Sequence, residues 1–330
     1  MKKIKFAILG AGMIANFLAE TVQKMDTVEA YAVASRDLVR AQSMADKYGF
    51  AKAYGSYQEM LDDPEVDLVY IATPHSMHIE HAVQCLEAGK HVLCEKAFTV
   101  TADEARTITK LAREKKLLIT EAIWPRYMPM AKTLQDFCSS GKIGKIHSLA
   151  ANLGYPVSHI DRITNPLLAG GALLDIGVYT LTFASIIMGD DIKDITTTAV
   201  MNDNGVDMQS TTTLTYGDGR ISSLFCTALG PTDRMGILYG ETGYAIVENI
   251  NNFESLRVYN SAHKLIEQID RPGQITGYEY EVQAAADAIH AGKLECADMP
   301  HEETVFIMEL MDKIRHCWGM WYPNENGLKQ

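Results

Sequence analysis

Asp175 and Tyr179 stand four residues apart in the segment Gly170-Gly171-Ala172-Leu173-Leu174-Asp175-Ile176-Gly177-Val178-Tyr179. On a helix that spacing puts a carboxylate and a phenol on one face. Set among leucine, isoleucine and valine, both need polar partners if they are buried. A free phenol titrates near ~10, too high for an easy base at neutral pH. A nearby cation favours the phenolate and lowers that value. Lys96, in Cys94-Glu95-Lys96-Ala97 at the end of an apolar run, is the candidate cation. Lys96 and Tyr179 then make an acid–base pair, with Asp175 orienting a hydroxyl. The chemistry this suits is proton transfer at a carbinol or carbonyl oxygen.

A second constellation supplies a partner for that chemistry. Gly10-Ala11-Gly12-Met13-Ile14-Ala15 follows an apolar strand and opens a helix, in the form G-x-G-x-x-A. Gly10 allows the tight turn, Gly12 lets the backbone approach a pyrophosphate, and Ala15 is small enough for helix–strand packing. The N–H groups of the first helical turn, at Met13 and Ile14, face the anion. The next strand ends in Ser35-Arg36-Asp37. Ser35 and Arg36 suit a ribose 2′-phosphate and favour NADP, while Asp37 keeps NAD possible. Thr73 and Pro74 follow a later strand and are expected on the nicotinamide side. His75 and His78 are either functional or polar residues in a first helical turn. With a nicotinamide present, the proton transfer becomes half of a hydride transfer at a CH–OH carbon.

The elements that must position these groups alternate two periods. Apolar runs at Ile4–Leu9, Val28–Ala34, Leu68–Ala72, His91–Cys94 and Leu117–Thr120 alternate with helical stretches near 13–24, 37–47, 76–88 and 101–115. Such alternation predicts βαβ units and a doubly wound parallel sheet of Rossmann type. Beyond about residue 145 strand-like alternation takes over, at 192–201, 208–216, 220–227, 235–239, 244–248 and 255–260. Asp203-Asn204-Gly205 and Gly217-Asp218-Gly219 are hairpin signals. An α+β domain with a large, mainly antiparallel open sheet is expected, closed by helices near 277–291 and 301–317. The expected division is 1–123 for dinucleotide binding and 124–330 for substrate binding and oligomerisation.

Composition narrows the classes. The 330 residues are 47% hydrophobic and 22% charged, as in an ordinary globular chain. A net charge of −12 repels phosphate backbones, so no nucleic acid partner is expected. No apolar run of the ~20 residues that span a membrane is apparent. The start, Met1-Lys2-Lys3 before an apolar run, imitates a signal peptide, but Gly10 and Gly12 interrupt it and the segment reads as strand, turn and helix. Six scattered cysteines without a Cys-x-x-Cys pair suit reduced thiols in the cytoplasm. No metal is expected, because the histidines and cysteines lack ligand spacing.

These motifs, in this order, resemble the glucose-fructose oxidoreductase / inositol dehydrogenase / MocA (Gfo/Idh/MocA) family over almost the whole chain. The resemblance rests on the glycine motif, Thr73-Pro74, Glu95-Lys96, Trp124-Pro125-Arg126-Tyr127 and the Gly170-to-Tyr179 segment. Tyrosine rather than histidine at 179 is similar to the dihydrodiol dehydrogenase and NADP D-xylose dehydrogenase branch. One departure is Ala97, where the family usually has proline after Glu-Lys; it removes a fixed φ and restores an N–H. The resemblance implies an NAD(P)-dependent oxidoreductase acting on a sugar, polyol or trans-dihydrodiol, with Lys96, Tyr179 and Asp175 catalytic. It implies that Trp124 and Arg126 approach the cofactor or substrate, and that Glu95 supports Lys96 or the nicotinamide ribose. It also implies a homodimer or homotetramer through the second sheet. Alternatives within the family are a non-catalytic NAD(P) sensor and an NAD-dependent glycosidase.

Overall fold

The computed structural model describes residues 2–323 and 325. They fall into two compact units, one of 2–123 with 274–305, the other of 124–273 with 306–323 and 325. In the first, β1 (Ile4–Leu9), α1 (Met13–Val22), β2 (Val28–Ala34), α2 (Leu38–Tyr48), β3 (Lys52–Tyr54), α3 (Tyr57–Leu61), β4 (Leu68–Ile71), α4 (His78–Glu87), β5 (His91–Glu95), α5 (Ala102–Lys115) and β6 (Ile119–Ala122) follow in turn. The strand order is β3-β2-β1-β4-β5-β6, every pair parallel. Reversal beside β1 makes a topological switch point, and ligands of such sheets bind beyond the carboxyl ends of the strands there. Every residue of β4 and β6 is buried, as parallel strands covered on both faces must be. Helix starts are locally encoded: Asp37 accepts from Val39 N at 2.9 Å, and Thr101 from Glu104 N at 3.2 Å.

The second unit contains α6 (Pro129–Ser139), β7 (Ile146–Gly154), the short α7 (Asp161–Thr164), a π-helical turn Leu173–Gly177 and α8 (Val178–Met188). Then come β8 (Ile192–Met201), β9 (Asp207–Tyr216), β10 (Ile221–Thr227), β11 (Gly236–Gly240), β12 (Gly243–Glu248), β13 (Ser255–Asn260) and β14 (Leu265–Asp270). These strands form one sheet in the order β14-β13-β12-β11-β7-β10-β9-β8. Only β7 with β10 is parallel; the other pairs are antiparallel. α8 is apolar nearly all round and packs against α6, β7 and β10. Contrary to the expectation of no such run, the stretch Pro166–Met188 has the length and hydropathy of a membrane span, yet 94% of its window is buried as core.

The chain ends with α9 (Glu279–His290) and α10 (His301–Cys317). Residues 274–305 pack with the parallel sheet, whereas the single break expected at 123/124 assigned them to the other unit. The reason is physical. α9 packs against β5 and buries Glu281, Val282 and Ala285, Ile119 N donates to Leu294 O at 3.2 Å, and the His301 ring meets Ile119 O at 2.9 Å. The returning segment thus covers β6, which would otherwise be an open edge.

Candidate active site

The glycine turn sits at the switch point of the first unit. Gly10 has φ +103°, and a Cβ there would stand 3.1 Å from both Ala72 O and Thr73 Cγ2. Only glycine fits that conformation beside the β4 end. At Gly12, the N-cap of α1, a Cβ would meet only Ala72 O, at 3.8 Å, and no side chain caps the helix. The first-turn N–H groups of Met13 and Ile14 therefore face an open cradle with the positive end of the helix behind it. Such a cradle fits a dinucleotide pyrophosphate. Met13 is exposed and Ile14 half-buried.

At the tip of β2, Ser35 is buried and its hydroxyl accepts from Asp37 N at 3.2 Å. Asp37 spends its carboxylate on the α2 cap, while Arg36 projects into solvent. Arg40, one turn into α2, donates to Ala11 O at 3.1 Å and so stands against the glycine turn. Arg40 went unnoticed in the sequence; its spacing of four from Arg36 was the available signal.

The β4 and β5 ends are tied together by His78. Its ring is fully buried, with Nε2 2.8 Å from Thr73 O and Nδ1 2.9 Å from Ala97 O. Burial pulls it down to about 4, so it is neutral at physiological pH. Both ring nitrogens are used on main chain, so His78 bears on a cofactor only through the two loops it joins. Thr73 Oγ1 lies 2.9 Å from His81 Nδ1, and both Thr73 and Pro74 keep partial exposure.

Glu95 is buried, accepts from the Tyr70 hydroxyl, and accepts from Lys96 N at 3.1 Å. Glu121 accepts from Phe98 N at 3.2 Å. Two acidic side chains thus hold the backbone on either side of Ala97, and the Lys96–Ala97 peptide is cis. Glu281 of α9 shares this buried surrounding, and burial first, then Glu95 and Glu121, push its carboxyl well above the usual range. Within 92–100, Lys96 alone is not buried.

In the second unit, Gly170 to Val178 are all buried. Asp175 lies in the π-helical turn and Tyr179 at the start of α8. π-turns of this kind are frequent at functional sites. Asp175 is paired with Arg162, Nη1 to Oδ1 at 2.7 Å, a partner with no spacing signal in the sequence. Tyr179 is half-buried, the one position from 169 to 184 that reaches the surface. Trp124 is buried in the turn Trp124–Tyr127, and Arg126 donates to Ser185 Oγ of α8 at 3.2 Å. Both belong to this unit. Among the described residues no group of three or more His, Cys, Asp or Glu side chains could hold a metal ion.

A parallel sheet ordered 3-2-1-4-5-6, with a glycine cradle at its first turn, followed by a large mixed sheet, defines a two-unit NAD(P)-dependent oxidoreductase. The chain belongs to the Gfo/Idh/MocA family. Residues 4–122 match the model "Oxidoreductase family, NAD-binding Rossmann fold", and residues 131–246 match the "GFO/IDH/MocA C-terminal domain". It is 32% identical to a mouse (Mus musculus) trans-1,2-dihydrobenzene-1,2-diol dehydrogenase, covering 98% of this chain and 99% of the relative. The human (Homo sapiens) protein of that name is 30% identical over the same shares. Among solved structures, KijD10, a 3-ketoreductase from Actinomadura kijaniata in complex with NADP and TDP-benzene, is similar at 26% identity and a TM-score of 0.87. That match covers 96% of this chain and 98% of KijD10.

Proposed function

We propose that this chain is an NADP-preferring dehydrogenase or reductase acting on a CH–OH carbon of a trans-dihydrodiol, sugar or polyol. Lys96 and Tyr179 are its acid–base pair. The observation that carries this reading is that each unit opens one proton-handling side chain from an otherwise buried run: Lys96 from 92–100 and Tyr179 from 169–184. The names of the relatives support the substrate class.

When bound, the nicotinamide supplies or accepts the hydride. Everything else falls to the chain. Gly10 and Gly12 admit the pyrophosphate, and the amides of Met13 and Ile14 bind it. Ser35, Arg36 and Arg40 hold a 2′-phosphate, an arrangement supported by Asp37 being committed to its helix cap. Thr73 and Pro74 border the nicotinamide side. Glu95 anchors the Lys96 amide. The Lys96 ammonium stabilises the Tyr179 phenolate, and Tyr179 moves the hydroxyl proton. Asp175, fixed by Arg162, orients the substrate hydroxyl. Trp124 and Arg126 border the substrate from the second unit.

We further infer a homodimer or homotetramer through the second sheet, supported by exposed apolar strand residues: Val200 at 51%, Ile221 at 43% and Ile266 at 49%. A cytoplasmic location is supported by six free cysteines.

The test is direct. Purified protein is assayed with NADP against dihydrodiols, sugars and polyols by nicotinamide absorbance. Lys96→Met and Tyr179→Phe each lower kcat at least ~100-fold, the scale of lost acid–base catalysis. Near-wild-type turnover in both variants would refute the assignment. A monomer that persists at all concentrations by light scattering would refute the oligomer.

A further inference from the structure

Asp207 opens β9 with its side chain fully buried, and no part of the chemistry described so far uses it. Its Oδ2 accepts from Leu173 N at 2.7 Å, at the first residue of the π-helical turn that leads into α8. Its Oδ1 is buried without a hydrogen-bond partner among the described residues. That oxygen occupies the space where Gly171 would carry a Cβ, and Gly171 has φ +123°. On the other side, the Tyr322 hydroxyl donates to Gly170 O at 2.5 Å. The Arg315 guanidinium lies 4.7 Å over the Tyr322 ring and pairs with Asp312 at 2.5 Å and Glu325 at 2.7 Å. Three separated segments, 170–173, 207 and 315–325, thus converge on one helix start.

We propose that Asp207 is a positioning residue for the reaction: from behind the site it fixes the amino end of the helical segment that carries Asp175 and Tyr179. The proposal rests on the reading of those two residues given above. A helix start buried in the core must find partners for its free N–H groups. Here one carboxylate from the neighbouring sheet provides the acceptor, and the glycine at 171 leaves room for it. The segment's position is therefore set by β9 rather than by its own sequence.

The same geometry makes the anchor sensitive to pH. Burial raises the Asp207 carboxyl to about 7, against the pull of the Leu173 N–H and Arg315. The titratable groups facing it are Arg315 and Tyr322 and, from β10, Cys226, whose thiol burial and Asp207 push up to about 12. A raised carboxyl is best tolerated protonated. Opening the segment to water restores an ordinary aspartate, so the closed state weakens as pH rises through 7. For an opening that hydrates Asp207, protection falls about tenfold between pH 6 and pH 8.

Hydrogen exchange of the full chain, read in peptides over 170–179 and corrected for intrinsic rates, tests this without any turnover. In Asp207→Ala, protection there falls about tenfold or more, while peptides over 243–260 keep theirs. In Asp207→Asn, which keeps an acceptor but cannot ionise, protection at pH 6 stays within about threefold of wild type, and the fall towards pH 8 disappears. With NADP and a trans-dihydrodiol as probes, Asp207→Ala lowers kcat about tenfold and leaves KM for NADP unchanged. Unchanged exchange over 170–179 in Asp207→Ala would overturn the proposal, and so would a pH slope that survives in Asp207→Asn. If the wild type turns over no substrate, the catalytic reading fails, and exchange alone still decides the anchor.

Discussion

Replacing Gly171 by alanine tests how the segment leading to Tyr179 is built. Two costs combine at this position. Its φ of +123° lies beyond the left-handed region, where a side chain costs about 1–3 kcal/mol. The new Cβ would also overlap Asp207 Oδ1 and come within 3.4 Å of the Tyr322 hydroxyl. Asp207 cannot yield without releasing Leu173 N, and a buried donor left unpaired costs about 1–3 kcal/mol. Residual overlap adds about 1 kcal/mol. The sum is about 3–7 kcal/mol, which for a chain of 330 residues lowers the melting midpoint by roughly 4–10 °C. Gly89→Ala is the control, since φ there is +75° and nothing stands within 4 Å of the added Cβ. It loses only the conformational share, about 1–2 kcal/mol. Differential scanning calorimetry on both variants, and on Gly171→Ala in an Asp207→Ala background, completes a double-mutant cycle. With Asp207 truncated, Gly171→Ala loses the share due to overlap with Asp207 and keeps its larger backbone cost. If Gly171→Ala costs no more than Gly89→Ala, or the cycle shows no coupling, the anchoring account is wrong.

Three further outcomes follow from other parts of the molecule. Glu281 is fully buried with neither carboxyl oxygen hydrogen-bonded among the described residues, and its titration is held well above the usual carboxylate range. Its folded-state pKa is raised, so its stability contribution is complete below the unfolded value and is lost as pH rises through the folded one. The melting midpoint of Glu281→Gln therefore gains on wild type from pH 5 towards pH 9, and a constant offset would contradict this. Glu279 accepts from Ile275 N at 2.6 Å, Thr276 N at 3.1 Å and Gly277 N at 2.7 Å, so urea unfolding of Glu279→Ala shows a loss of about 2–3 kcal/mol, partly recovered by glutamine. Arg36→Ala raises KM for NADP about 10-fold or more and leaves KM for NAD unchanged, because only the former offers a 2′-phosphate to the guanidinium.

The first unit was readable because its signals are local. A period-two run, a glycine turn and an amphipathic helix repeat within each βαβ unit, and caps such as Thr101 lie within four residues of what they bind. Hairpin strands β8 to β13 were readable through their alternation and turn residues. The failures are a diluted local pattern and a long-range return. β7 sits in the middle of the second sheet, yet its Ser, Ala and Asn positions dilute the alternation. Segment 274–305 returns to the parallel sheet through contacts at β5 and β6 that no local pattern encodes.

The candidate chemistry divides in the same way. The amino-acid sequence by itself determined the glycine turn, the family, and the lysine, aspartate and tyrosine worth testing, because each rests on residue types in recognisable motifs. Only the tertiary structure decided which of their neighbours are committed elsewhere: His78 to two carbonyls, Asp37 to a helix cap, and Arg162 to Asp175. It also decided that Lys96 and Tyr179 reach the surface from buried runs, and that the Asp207 carboxylate accepts from Leu173 N. Burial and pairing between distant segments are properties of the packed chain, and no stretch of sequence carries them alone.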